Sequence, residues 1–152
     1  MAHSFSAVYI HLVFSTKDRR PFLTDQNLRQ DLHRYLAGIA SNQNLPATIV
    51  GGVEDHVHLL LKQGREAPCQ SNFVRDLKRS STKWIKDVAP YLSDFNWQSG
   101  YAVLSVSHRE VETVGRYIAN QVEHHRAHNF QDEYRRLLIE HGIDLDEKYM
   151  WE

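Results

Sequence analysis

Cysteine is all but missing from this 152-residue chain. Cys69 stands alone, so no disulfide can close within one molecule, and a reducing compartment suits the protein. Long apolar runs are missing too: nothing approaches the roughly 20 residues that span a bilayer. The opening Met1-Ala2-His3-Ser4 has no basic stretch followed by an apolar core, so a secretory signal is not expected and a cytoplasmic location is. Four prolines and seven glycines are scattered, leaving no linker, repeat or low-complexity segment. Net charge is also scarce. Eighteen basic against nineteen acidic residues give −1, which argues against a chain that coats nucleic acid by bulk charge.

The charge that is present is unevenly placed. Lys62 to Lys86 carries seven basic and two acidic residues, whereas Phe130 to Glu152 carries seven acidic and three basic. A local basic surface is therefore available despite the overall balance. The length suits one domain that buries roughly 70% of the surface its unfolded chain exposes. Residues 1–129 read as its body and 130–152 as an acidic helical extension of the same domain.

Ala7 to Phe14 is β-branched and aromatic and reads as a strand, followed by the basic turn Lys17-Asp18-Arg19-Arg20-Pro21. Thr24 is a candidate N-cap for a helix over 25–42, with Leu28, Leu32, Tyr35, Leu36 and Ile39 on one face. Strands over 47–53 and 56–62, two residues apart, read as a hairpin. A second helix starts at Ser71 and stops at Pro90; a fourth strand covers 101–106. Ser107 and Glu110 have capping-box spacing and open a helix to about His128, and a short helix over 132–141 ends at Gly142. The order β-α-β-β-α-β predicts an α+β, ferredoxin-like antiparallel sheet with both helices on one face, then a C-terminal helix and a short helical tail.

His56-Val57-His58 alternates at strand period, so the two imidazoles share a face. Either both rings face water, or they begin a metal site. Imidazoles alone suit zinc and other transition metals; an oxygen-rich remainder suits Mg²⁺ or Mn²⁺. Tyr117 and Gln121 lie one helical turn apart and also share a face. Tyr117 is either a packed helix tyrosine or a nucleophile whose phenol, with a free pKa of about 10, needs help to ionise. Gln121 is either solvated or a further ligand. Arg75, Lys78, Arg79 and Lys83 form a solvated basic face or a phosphate-binding one, and Lys17, Arg19 and Arg20 are a second such group. Trp97 reads as core and Tyr101 as a possible base-stacking ring. His124, His125 and His128 read as structural.

Taken in order, these segments resemble the single-tyrosine HUH transposases of small insertion sequences, which move as single-stranded DNA. Tyr9-Ile10-His11-Leu12-Val13-Phe14-Ser15-Thr16-Lys17 with Arg19-Arg20-Pro21 is similar to the family's first strand and turn. Asp55-His56-Val57-His58-Leu59-Leu60 is similar to its metal strand, and Leu77-Lys78-Arg79-Ser80-Ser81 to its second helix. Trp97-Gln98-Ser99-Gly100-Tyr101 and Ser105-Val106-Ser107 are similar to its fourth strand, and Tyr117-Ile118-Ala119-Asn120-Gln121 to its nucleophile helix.

The resemblance implies a metal-dependent DNA strand transferase. Tyr117 would attack a DNA phosphate and stay on its 5′ side, while His56, His58 and Gln121 hold Mg²⁺ or Mn²⁺. It implies a homodimer acting on single-stranded DNA hairpins, with no nucleotide cofactor and no membrane, and it includes domesticated relatives that act on repeated palindromes. Two other classes stay open: a non-catalytic dimeric hairpin-DNA-binding or regulatory protein, and a metal-binding oligomer without a nucleic-acid role.

Overall fold

Period-two patterning does most of the folding work. In the computed structural model, which describes residues 3–152, β1 (Tyr9–Ser15), β2 (Ala47–Gly52), β3 (His56–Lys62) and β4 (Ala102–Val106) form one antiparallel sheet in the order β2-β3-β1-β4. Met1 and Ala2, the start of the N-terminal stretch read above, lie outside the described residues. The central strands β1 and β3 are buried on both faces, as their near-continuous apolar runs require.

One face presents Leu12, Phe14, Val57, Leu59 and Leu61. It is covered by α1 (Gln26–Asn42) through Leu28, Leu32 and Leu36, and by α2 (Gln70–Val88) through Phe73, Leu77 and Ile85. Asp25 rather than Thr24 caps α1, its carboxylate accepting from the Asn27 and Leu28 amides at 2.9 and 3.2 Å. Cys69 is exposed at the N-cap of α2.

The opposite face carries His11, Val13, His56, His58, Leu60, Ala102, Leu104 and Val106. Two later elements cover it. The helix α3 (Val111–Ala119) sets Ile118, Val114 and Tyr117 against Leu60 and Val106. The helix α5 (Phe130–Glu140) lays Phe130, Tyr134, Leu137 and Leu138 on Val13, Ala102 and Leu104. Buried apolar side chains of this kind contribute about 1.5–3 kcal/mol each before ordering entropy is subtracted. The 130–152 segment is thus a strap over the sheet. Its end is tied down as well: the Glu152 carbonyl accepts from Gly100 N at 2.7 Å and from Gln98 Nε2 at 3.1 Å.

The helix expected over 107–128 is not continuous. Ser107 makes no side-chain cap bond, 108–110 is a single 3₁₀ turn, and the helix ends at Ala119. Asn120 leaves helical geometry (φ −95°, ψ 18°), a residue type whose side chain competes with helical backbone bonds. A single turn, α4 (Gln121–His124), follows. Among the described residues no helix is long and apolar enough to cross a membrane.

Candidate active site

The inward face of β3 delivers His56 and His58, both fully buried, with ring centroids 5.0 Å apart. The packing of α3 against β2 determines what meets them. Gly51 faces the Ile118 carbonyl so closely that a Cβ there would lie 2.6 Å from that oxygen. This approach brings Tyr117 and, past the break at Asn120, Gln121 over the histidines. Gln121 is itself buried, and its Oε1 lies 3.0 Å from His56 Nε2.

The residue that joins these groups is Glu133 of α5, a buried acid on the apolar side of its helix. Its Oε1 lies 3.1 Å from His56 Nε2, 3.1 Å from His58 Nε2 and 3.2 Å from His125 Nε2. Its Oε2 accepts hydrogen bonds from the Tyr117 hydroxyl and, at 3.0 Å, from Gln121 Nε2. The last contact fixes the Gln121 amide, turning Oε1 toward both His56 and His125, the latter at 2.9 Å. All four residues singled out on sequence as ligands or nucleophile therefore meet one carboxylate within one chain. The sequence alone did not single out Glu133, and it read His125 as structural. The signal for Glu133 was an acid falling among Phe130, Tyr134 and Leu137 on an amphipathic helix; His125 carried none beyond its i, i+4 spacing from Gln121.

Outer contacts determine which way the lone pairs point. His56 Nδ1 donates to Asp55 Oδ1 at 2.7 Å, and His125 Nδ1 donates to the His128 carbonyl at 2.7 Å. Both Nε2 atoms thus turn a lone pair inward, an arrangement that serves metal-bound histidines. There they face the amide and carboxylate oxygens, which also offer lone pairs. Such a meeting needs positive charge between the atoms. Without a metal a proton serves: burial opposes it, but the hydrogen bonds to Asp55 and Glu133 prevail and raise His56 to about 9. His58, whose Nδ1 bonds His11 Nε2 at 2.8 Å, is lowered by burial to about 4, and burial takes His11 to about 3. Burial would raise Glu133, yet hydrogen bonds from His125, His56 and His58 hold it far below the ordinary carboxylate range. Tyr117 moves the other way, raised by burial and by the adjacent Glu133 charge. The donors suit a divalent cation: imidazole nitrogens, an amide oxygen and a carboxylate. His56, His125 and Glu133 offer ligand atoms all within 4.8 Å of one another.

Tyr117 opens on a cleft of about 300 Å³ between β4, α3 and α5, where Arg136 Nη2 lies 3.4 Å from its hydroxyl. The basic residues are spread more widely. Arg75, Arg79 and Lys83 are exposed along α2, the first two beside a groove of about 510 Å³ shared with Asn96 and Trp97. Lys78 lies in that groove too, but its ammonium binds the Gln98, Ser99 and Gly100 carbonyls at 2.7, 3.3 and 2.7 Å. Lys17 and Arg20 are exposed, Arg20 pairing with Asp94 at 2.9 Å; Arg19 lies over the Trp151 ring. Trp97 is core, donating to Ser81 Oγ at 2.9 Å.

This fold has known counterparts. Residues 4–121 match the family described as Transposase IS200 like, and the chain belongs to that family. A solved structure from Deinococcus radiodurans R1, designated a transposase, is 28% identical with a TM-score of 0.64, over 80% of this chain and 95% of that one. The REP-associated tyrosine transposase bound to a REP hairpin shares the fold at 16% identity and a TM-score of 0.58, over 82% of this chain and 72% of that one. No curated protein matches the chain.

Proposed function

We propose that this transposase cleaves and rejoins single-stranded DNA at hairpin-marked ends through a covalent bond to Tyr117. The observation that carries the reading is the convergence of Tyr117, Gln121, His56 and His58 on Glu133 within one chain. Nucleophile and cation ligands are thereby held together on packed elements rather than on loops. His56, His58 and Gln121 are the proposed ligands of Mg²⁺ or Mn²⁺. Such an ion draws charge from the phosphate oxygens and so eases attack by a weak nucleophile.

The chemistry is a transesterification. The Tyr117 oxygen bonds to phosphorus as the phosphorus–O3′ bond breaks. The phenolic proton leaves through its hydrogen bond to Glu133 Oε2, which relays rather than keeps it, and the departing O3′ takes that proton up as a free 3′ hydroxyl, so the step is proton-neutral. Attack by another 3′ hydroxyl on the 5′-phosphotyrosine reverses the step and joins strands, so no nucleotide energy source is needed. Arg136 lines the cleft as a partner for the scissile phosphate. Arg75, Arg79, Lys83, Lys17 and Arg20 are proposed to hold the flanking phosphates, with Lys78 shaping the groove and Arg19 steadying the turn. A homodimer of this chain would carry two self-contained sites. The REP hairpin bound to the structural neighbour supports hairpin DNA as the substrate class.

The test is incubation of the full-length protein with end-labelled hairpin DNA and Mn²⁺. A covalent adduct that vanishes in Tyr117→Phe supports catalysis. Tight hairpin binding with no adduct under any divalent ion would instead identify a binding protein that keeps the fold.

A further inference from the structure

We infer that the 130–152 strap is part of the cation site, with Glu133 and His125 as ligands alongside His56, His58 and Gln121, so that binding the ion and docking the strap are one linked event. The inference rests on the cation site of the preceding reading and adds to it a carboxylate and a third imidazole.

Distances carry the argument first. Neighbouring ligands of an octahedral ion with bonds of about 2.1 Å sit about 3.0 Å apart. Going round the site, His56 Nε2 to Gln121 Oε1 is 3.0 Å, and Gln121 Oε1 to His125 Nε2 is 2.9 Å. His125 Nε2 to Glu133 Oε1 is 3.2 Å, and Glu133 Oε1 back to His56 Nε2 is 3.1 Å. This is a closed ring of four donors at the spacing of adjacent ligands. His58 Nε2 stands 3.1 Å from Glu133 Oε1 at the same spacing. The four donors of the ring would leave positions for His58 and for a phosphate oxygen.

Charge carries it second. The site holds the buried Glu133 carboxylate and, behind His56, the partly exposed Asp55 carboxylate, while the Arg136 guanidinium is turned to the Tyr117 hydroxyl and to Glu140. A dication would replace the proton that His56 otherwise carries and balance the carboxylates more fully, and the outer partners of His56 and His125 already turn their inward lone pairs toward it. Rigidity carries it third. Glu133 is delivered by a helix whose Asn129 cap and buried Phe130, Tyr134, Leu137 and Leu138 hold it on the sheet. A removable blocking acid would not need such anchoring. The linkage is reciprocal: an ion that binds through Glu133 must stabilise the strap by the free energy the strap adds to its binding.

The test needs no DNA. Mn²⁺ binding to the full-length protein is followed by the loss of the free-ion paramagnetic resonance signal. Glu133→Ala and His125→Ala are each expected to weaken binding at least about tenfold, with Asp144→Ala, an exposed acid of the same segment, unchanged. Glu133→Gln, which keeps the shape, should weaken it severalfold if the alanine variant unfolds. In the wild type, Mn²⁺ should slow amide exchange across 130–140. Unchanged or tighter binding in Glu133→Gln, or no added protection of α5, would overturn the inference and mark Glu133 as an occupant of the site rather than a ligand. His56→Ala separates the two levels. If it loses Mn²⁺ while the Glu133 variants do not, only the strap's role falls; if it binds like wild type, the cation site of the proposed function falls too.

Discussion

Gly51 and the carbonyl of Ile118 touch without room for a methyl group between them. A Cβ on Gly51 would lie 2.6 Å from that oxygen and 2.8 Å from the Ile118 Cγ2. The neighbour on one side is backbone, which cannot rotate away, so Gly51→Ala must push α3 off β2. Overpacking of this kind costs about 1–3 kcal/mol. Because α3 carries Tyr117 and leads into Gln121, the displacement should lower Mn²⁺ affinity and adduct yield more than it lowers melting temperature. Gly38→Ala has open space around its Cβ on a helix and should be neutral or stabilising on all three measures.

Asp55 acts on the site through His56. Its carboxylate is partly exposed and bonds the ring nitrogen that faces away from the cluster. Asp55→Ala frees the ring to rotate and removes the charge that makes it a stronger donor. Losing such an outer partner typically costs 10–100-fold in metal affinity. Asp55→Asn keeps an oxygen acceptor but not the charge, so calorimetric titration with Mn²⁺ should place it between the alanine variant and wild type. Equal affinity in all three proteins would show that His56 needs no orientation from Asp55.

Lys78 and Arg79 are adjacent in sequence and should behave differently. Lys78 gives its ammonium to three backbone carbonyls of the 98–100 segment and lies 5.0 Å from the Phe14 ring centroid. Lys78→Met should therefore destabilise the fold by about 1.5–3 kcal/mol, the worth of hydrogen bonds from a charged donor. Arg79 is exposed. Arg79→Ala should leave urea midpoints nearly unchanged while reducing the salt dependence of hairpin binding by about one unit of log–log slope. A large stability loss in Arg79→Ala would remove it from the phosphate-binding group.

The strands were legible because alternation marks a sheet face directly, and the face that holds His56 and His58 follows from counting by twos. The meeting of His56 with Gln121 was legible only as an i, i+4 pairing with Tyr117 set beside a family resemblance; no local pattern encodes the approach of α3 to Gly51. The strap was the least readable part. Its acidic composition suggests solvent, and six of its seven acids are exposed. Glu133 is distinguished only by helical phase, and its burial depends on histidines more than 70 positions away, a tertiary fact that sequence spacing does not contain. The break at Asn120 escaped notice for a related reason. The Ser107–Glu110 capping pattern is a local rule that marks where a helix starts and says nothing of where it stops.

His33 supplies a pH dependence separate from the cation site. It sits on α1, where burial first and the Arg29 charge second lower its imidazole from 6.5 to about 4, and its Nε2 is buried without a partner. Between these two values the unfolded chain binds a proton that the folded chain refuses. Stability contributed by this residue is therefore full above pH 6.5 and declines as pH falls toward 4, by an amount on the order of 2–3 kcal/mol. His33→Leu removes the proton uptake on unfolding. In urea denaturation with a chelator present, wild type should lose more stability than the variant between pH 7.5 and 4.5. The chelator leaves the other histidines in the same metal-free state in both proteins, so the difference between the two losses isolates His33. Parallel losses in the two proteins would mean that His33 takes up its proton without unfolding, turning its ring to solvent at little cost.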